Sequence, residues 1–244
     1  MGSFCRLLFA SLAAVLLAAP ANASPAMDWS GVRIGATIDL TLGSHTDSHA
    51  GVPPGPSANG DYSFSRSMEG FLAGPTVGYF FQQGRFVEGL EFDAGYGNVG
   101  GSNRINGVAH QDGSGASPSN FLLMRDHVDM MVTLRGTLGY AVSRHFLPYL
   151  TGGWMYHHGQ YRGQFHDSVP EDFTSHDGGD RNGWTIGAGL ACQFQRDWVV
   201  KADYLYYDVG RHPLLSNTIG TSQSQFLFGG TGALVRLGLT WRVP

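Results

Sequence analysis

Charge is scarce in this chain, and what there is leans to the acidic side. Lys, Arg, Asp and Glu make up 14% of the 244 residues, and the formal net charge at pH 7 is −4. An acidic balance gives no electrostatic support for binding nucleic acid, whose phosphate backbone attracts Lys and Arg. The sequence therefore predicts no nucleic-acid partner.

Long apolar runs and long helices are also missing. The main apolar stretch, residues 7–20, is shorter than the roughly 20 residues that a helix needs to cross a bilayer. The 36 glycines argue against long helices, because each costs about 1 kcal/mol in a helix interior relative to Ala. Aromatic residues still make up 12% of the chain, which excludes a disordered linker.

The first residues have the features of an export signal. Arg6 supplies a positive start, residues 7–19 an apolar stretch, and residues 21–23 an A-x-A cleavage site. We interpret residues 1–23 as a secretory signal peptide and residues 24–244 as one mature domain. The alternatives are a retained anchor, for which the apolar run is short, and a lipoprotein, for which Cys5 lies on the wrong side of that run.

Cysteine is nearly absent. Cys5 lies in the predicted signal peptide, so Cys192 remains alone and no intrachain disulfide forms in the mature chain. An exported protein of this size then needs another constraint on its fold, and a closed sheet is one.

The dominant pattern from Trp29 onward is period-two alternation, which indicates β-strands. Even positions from Val32 to Leu42 are all apolar, whereas the odd positions between them are small or polar. This strand of roughly 13 residues exceeds the usual 5–6 and suits a tilted membrane-crossing strand, which needs about 9–11. The pattern returns seven more times, at about 70–81, 85–97, 123–141, 146–157, 183–195, 197–208 and 231–243.

The connections between these strands alternate in length. Short turns fall at residues 82–85, 143–145 and 195–197, and polar connections of about 20–27 residues fall near 43–69, 98–122, 158–182 and 209–230. Outer-membrane barrels show this alternation, with turns in the periplasm and loops outside. The sequence predicts an all-β, eight-stranded antiparallel transmembrane barrel with short periplasmic turns and four long extracellular loops.

A sheet that spans lipid must close, because an open edge leaves backbone groups unpaired in hydrocarbon. The apolar face then meets lipid and the polar face lines the lumen, where charged residues are expected to form paired networks. The predicted lumen charges are Arg33, Asp39, Glu91, Asp93, Asp129, Arg135, Lys201, Asp203 and Arg236. Two aromatic girdles are predicted at the interfaces, and they include Trp29, Trp198 and Trp241 at the turn end and Trp154 and Trp184 at the loop end. A soluble sandwich or a lipocalin-like barrel is the alternative, but it gives no reason for such sorting.

Several segments resemble the small porin-family outer-membrane barrels of alphaproteobacteria, the immunogenic-protein type. Residues 28–35 (DWSGVRIG) are similar to the family's opening strand, 147–153 (LPYLTGG) to its fifth strand, 181–190 to its penultimate hairpin and 235–241 to its closing strand. The resemblance covers essentially the whole mature chain. It implies an eight-stranded, surface-exposed barrel with no catalytic residues to carry over. The chain departs from the family at its end, where Trp241 is followed by Arg242, Val243 and Pro244 instead of a terminal aromatic residue.

Ten histidines raise two alternative functions. Haem or metal binding would use a loop cluster of His157, His158, His166 and His176, although their spacing fits no defined ligand set. A lipid-modifying enzyme would use His127 with Asp126 or Asp129, or His157 with nearby serines, but no flanking motif accompanies them. We therefore predict no enzyme activity, no cofactor and no metal site.

The predicted function is structural and interactive. Eight strands leave an interior that side chains fill, so a general diffusion pore is not expected. The expected partners are outer-membrane lipid and lipopolysaccharide, the barrel-assembly machinery during biogenesis, and a host or surface ligand at the loops. The predicted location is the outer membrane of a Gram-negative cell.

Overall fold

The computed structural model describes residues 28–52, 62–107, 117–166, 173–195, 197–219 and 222–244. The predicted signal peptide lies outside the described residues. Among the described residues, no helix is long and apolar enough to cross a membrane.

Eight antiparallel strands close into one barrel, as predicted. They are β1 (Gly31–Val52), β2 (Tyr62–Gln83), β3 (Phe86–Asn106), β4 (Phe121–Tyr140), β5 (Phe146–His166), β6 (Phe173–Gln193), β7 (Trp198–Ile219) and β8 (Ser222–Arg242). Each strand pairs with its neighbours in chain order, and β1 pairs with β8 to complete the ring. Near the short turns each strand is thereby paired on both sides, which removes the open edges that lipid would not tolerate.

Most strands are longer than the alternation predicted. β1 continues past Leu42 to Val52, and β5 continues past His157 to His166. Large parts of the predicted loops 43–69, 98–122, 158–182 and 209–230 are therefore strand. The prediction was too short because the apolar face that marks a lipid-facing strand ends there, whereas backbone pairing continues.

The barrel consequently has two parts with different outer surfaces. In the part next to the short turns, which we call the membrane half, outward residues such as Ile38, Leu150 and Leu237 are apolar and exposed. Farther from the turns, residues 98–106 of β3, 121–129 of β4 and 157–166 of β5 form what we call the distal half. Its outward positions are mostly polar. With about 3.3 Å per residue and a tilt of about 40°, a 21-residue strand rises roughly 50 Å, well beyond a hydrocarbon core of about 30 Å.

Apolar clusters occupy the interior above and below its middle. The cluster at the turn end contains Trp29, Phe80, Val87, Ala141, Leu147, Tyr149, Ala191 and Val199. The cluster on the distal side contains Met68, Leu72, Val99, Val128, Met131, Met155, Leu205, Tyr207, Val209 and Leu234. Charged side chains lie between the two clusters, so the interior has three layers.

A β-bulge in β4 changes which residues face inward. The pairing of β4 with β5 shifts between Val128 and Met130, which leaves Asp129 as the extra residue on that side. On the β3 side, residues 97 and 98 both lie opposite residue 129. On the turn side of the bulge, odd residues such as Arg135 are buried, and on the distal side even residues such as Met124 are buried. One extra residue therefore changes the inward positions of β4 from odd residue numbers to even ones.

Candidate functional site

The charged layer of the interior is the most densely connected polar site among the described residues. Eight of the nine predicted lumen charges lie there, each at most 6% exposed: Arg33, Asp39, Glu91, Asp93, Arg135, Lys201, Asp203 and Arg236. Strand register brings several of them face to face, because Glu91 pairs with Arg135 and Asp39 with Arg236 across adjacent strands. The eight comprise four basic and four acidic residues, so their formal charges cancel.

Arg135 stands at the centre of this layer and is fully buried. Its Nη2 donates to Glu91 Oε1 at 2.6 Å and to Asp93 Oδ2 at 2.9 Å, and its Nη1 lies 3.5 Å from Asp203 Oδ2. One guanidinium thus joins carboxylates from β3 and from β7 across the lumen. Such charge-assisted contacts are what makes burial of these ions tolerable.

Arg236 forms a second centre beside the first. Its Nε and Nη2 hold the two oxygens of Asp39 at 2.6 and 2.7 Å, which is a bidentate pair, and its Nη1 lies 2.7 Å from Asp93 Oδ2. The Thr133 hydroxyl donates to the same Asp93 oxygen at 2.9 Å. Asp93 therefore links the two arginines into one network.

Two further contacts extend this network toward the turn end. The Lys201 ammonium contacts Glu91, and the Tyr149 hydroxyl donates to Asp203. Tyr149 also belongs to the turn-end apolar cluster. The charged layer and the apolar layer below it are thus joined by a side chain that serves both.

Arg33 makes contacts of a different kind. Its Nη2 donates to the Trp29 carbonyl at 3.2 Å, and its guanidinium lies 5.4 Å from the centre of the Trp29 ring and 5.6 Å from that of Phe80. The cavity bordered by Arg33, Tyr149 and Lys201 has a volume of about 10 Å³. A water molecule needs at least about 10–15 Å³, so this region has no room for a water-filled path.

Two predicted positions differ in the structure. Asp129, expected in the lumen, is the half-buried extra residue of the β4 bulge. Trp29, expected in the turn-end girdle, is 2% exposed and packs inside the barrel, because it stacks with Arg33 just before β1 begins. The other four tryptophans of the predicted girdles, Trp154, Trp184, Trp198 and Trp241, all have part of their surface exposed.

The described histidines of the predicted cluster, His157, His158 and His166, are not brought together on one face. His157 is buried and contacts Tyr161, whereas its neighbour His158 faces outward, because successive residues of a strand point to opposite faces. His166 stacks on Phe121 at 4.9 Å, and the side chain of His176 lies outside the described residues. Within the part of the chain that the structure describes, no group of three or more His, Cys, Asp and Glu side chains is placed to hold a metal ion.

His158 instead takes part in an exposed polar contact. Its Nδ1 lies 2.8 Å from Asp180 Oδ1, and the Tyr156 hydroxyl donates to the same oxygen at 2.7 Å. The hydrogen bond to Asp180 raises the pKa of His158 above its ordinary value, and the nearby charge of Asp129 adds to this effect. Of the lipid-enzyme candidates, His127 and Asp126 are separated, because Asp126 is buried inside while His127 faces outward.

Sequence reasoning missed the apolar layers that close the lumen on either side of the ions. Tyr149 and Leu147 lie at inward positions of β5, where apolar and aromatic residues occur at both parities. Met124 and Val128 could have been recognised only by locating the bulge. The remaining signal was the excess of apolar residues at both parities in β4.

Comparison with known proteins agrees with the barrel. A family model described as the outer membrane protein beta-barrel domain matches residues 10–231. The 31 kDa outer-membrane immunogenic proteins of Brucella melitensis biotype 1 and Brucella suis biovar 1 are each 29% identical over 177 residues. These matches span 71% of this chain and 66% of the relatives, so the chain covers slightly less than two thirds of their length.

Solved outer-membrane proteins are similar to this chain at low identity. OprG from Pseudomonas aeruginosa is 10% identical with a TM-score of 0.46, covering 89% of this chain and 99% of its own. The protease OmpT from Escherichia coli is 11% identical with a TM-score of 0.47, covering 91% and 99%. Similarity at this level carries no argument about activity. With the strand pairing and the family match together, the chain belongs to the outer membrane protein β-barrel domain family and is an outer-membrane β-barrel protein.

Proposed function

We infer that this barrel is a non-conducting surface protein, exported by the signal peptide at residues 1–23, that supports the envelope and presents a polar rim outside the cell. The observation that carries this proposal is the filled interior. Arg135 links β3 to β7 across the lumen, and apolar clusters close the space above and below it. An eight-stranded barrel has an interior only wide enough for side chains, so this packing leaves no aqueous channel.

Conductance of the refolded mature chain in planar bilayers tests the closed lumen. We expect no current steps above the lipid background, while a trimeric porin reconstituted in the same bilayers supplies the positive control. Reproducible steps that depend on the concentration of the refolded chain would overturn the proposal.

The proposal also assigns the distal half to the cell exterior. Cysteine substitutions at Asn106, at the distal end of β3, and at Ser143, in the β4–β5 connection, report the two ends of the barrel in a Cys192→Ser background. Intact cells treated with a membrane-impermeant maleimide should label Asn106→Cys alone. Labelling of Ser143→Cys without permeabilisation would reverse the orientation.

The absence of enzyme activity and of a cofactor is part of the same proposal. Its support is that the described histidines of the predicted cluster lie on different faces and that His127 and Asp126 are divided by the barrel wall. Lipid A from a deletion strain should have the same mass profile as lipid A from the parent strain. A missing modification that returns on complementation would identify an enzyme instead.

A further inference from the structure

The outward surface of the distal half contains a cluster of cationic side chains. Arg125 on β4 and Arg162 on β5 are direct cross-strand partners, and both are exposed. His127 and its partner Gln160 form the next outward pair toward the membrane, and Ser102 on β3 is the partner of Arg125 on its other side. We call these five residues the basic patch.

The first outward carboxylate on β4 beyond this patch is Asp129, the half-buried bulge residue two positions from His127. The outward positions of residues 98–106, 121–127 and 158–166, all within the described segments, contain no Asp or Glu. Like charges placed directly opposite each other on a sheet are destabilising. Two opposed arginines without a carboxylate are therefore complementary to an anion that binds between them.

The β4 bulge is what creates the patch. If Asp129 were part of a regular alternation instead of a bulge, the odd residues of β4 would stay inward throughout, and Arg125 and His127 would point into the barrel. The bulge places them outside and puts Met124 and Val128 in the interior instead.

The patch borders a groove with room for a ligand. The groove has a volume of about 470 Å³ and is lined by Gly100, Gly101, Ser102, Arg125, Asp126, His127, Gln160 and Arg162. Asp126 is only 5% exposed, so its carboxylate faces the interior and the open side of the groove is cationic. Gly100 contributes no side chain opposite His127, which keeps the floor open.

The height of the patch matches the polar layer of the membrane. Arg162 lies six residues beyond Tyr156, the last outward aromatic residue of β5 before the polar segment. At about 3.3 Å per residue and a tilt of about 40°, this is roughly 15 Å along the membrane normal. The arginines are then above the hydrocarbon, and their flexible side chains can reach the headgroups below.

We propose that the basic patch binds phosphate groups on the sugars of outer-leaflet lipopolysaccharide. Guanidinium groups bind phosphate through charge-assisted, often bidentate hydrogen bonds, and two opposed arginines hold a phosphate from both sides. Arg104 flanks the patch, with its guanidinium 3.8 Å from the centre of the Phe121 ring. Assignment of the ligand to the outer leaflet rests on the orientation given under the proposed function.

Titration of the refolded chain in detergent with purified lipopolysaccharide tests the proposal. Arg125→Gln/Arg162→Gln should weaken binding at least about tenfold, the effect of losing one charge-assisted contact to phosphate. Arg144→Gln removes an exposed arginine from the β4–β5 connection and should leave the affinity unchanged. Unboiled gel migration checks that each variant is folded.

Three other ligands distinguish the phosphate of lipopolysaccharide from free phosphate and from phospholipid phosphate. Chemically dephosphorylated lipopolysaccharide should bind the native chain as weakly as the intact glycolipid binds the double variant, and millimolar inorganic phosphate should not compete. Phosphatidylglycerol vesicles should bind less tightly and without dependence on the two arginines. Equal binding of dephosphorylated lipopolysaccharide, or equal arginine-dependent binding of phosphatidylglycerol, overturns the assignment.

A measurement on the native chain keeps the proposal testable if the double variant fails to fold. Lipopolysaccharide should protect Arg125 and Arg162 from modification by phenylglyoxal, mapped by mass spectrometry, while Arg144 stays reactive. Equal modification with and without the glycolipid contradicts the proposal. Because these assays use refolded protein, they are independent of the orientation that maleimide labelling reports.

Discussion

The membrane half and the distal half of this barrel are formed by the same strands but bury opposite kinds of side chain. In the membrane half, Leu150 and Leu237 face outward and the network around Arg135 fills the interior. In the distal half, Arg125 faces outward and Met124 is fully buried. In lipid the charged side chains are buried in the lumen, and in water the apolar side chains are buried there. The medium around a strand therefore determines whether its inward or its outward residues are apolar.

Arg135→Ala tests the contribution of the charged interior of the membrane half to stability. It removes the partner shared by Glu91, Asp93 and Asp203 and leaves their charges in a closed space. We expect a loss of about 3–5 kcal/mol in the free energy of unfolding, measured by urea titration in detergent. Arg242→Ala, whose Nη2 lies 3.6 Å from Asp28 Oδ2 at a partly exposed site, should cost less than about 1 kcal/mol. Equal losses in the two variants would contradict the buried network.

Much of this fold was predictable because period-two alternation reports lipid on one side of a strand. The eight strands and the parity of Arg33, Glu91 and Arg236 follow from that signal alone. The alternation no longer identifies strands beyond the lipid, because the distal segment of β5 has no apolar stripe although its backbone pairing continues.

The bulge and the internal aromatic residues could not be read from the sequence. Val128, Met130 and Met131 are all apolar, so the hydrophobic pattern of β4 does not indicate where the extra residue lies. Trp29 has the residue type and the sequence position expected of a girdle residue, and only its contact with Arg33 in the structure shows that it packs inside.

Paired lysine substitutions locate the boundary between the two halves. Leu237→Lys places a charge on the lipid-facing surface of β8 and should cost about 2–4 kcal/mol in bilayers. Asn98→Lys places the same charge on the outward surface of the distal half outside the basic patch, where the cost should be less than about 1 kcal/mol. Urea unfolding of both variants in vesicles measures the difference, and similar costs would move the boundary of the hydrocarbon beyond Asn98.

The smallest expected effect concerns the exposed pair of His158 and Asp180 on the distal surface. Their hydrogen bond raises the pKa of His158 in the folded chain, so its contribution to stability is complete below the ordinary value of about 6.5 and is lost as pH rises through the raised pKa. Asp180→Asn should lower the His158 pKa, followed by NMR titration of the ring, while Asp197→Asn at the opposite end should not change it. Because the pair lies in water, the change in stability should be small even where the pKa shift is clear. An unchanged His158 pKa in Asp180→Asn would assign the shift to Asp129, the other carboxylate whose charge raises it.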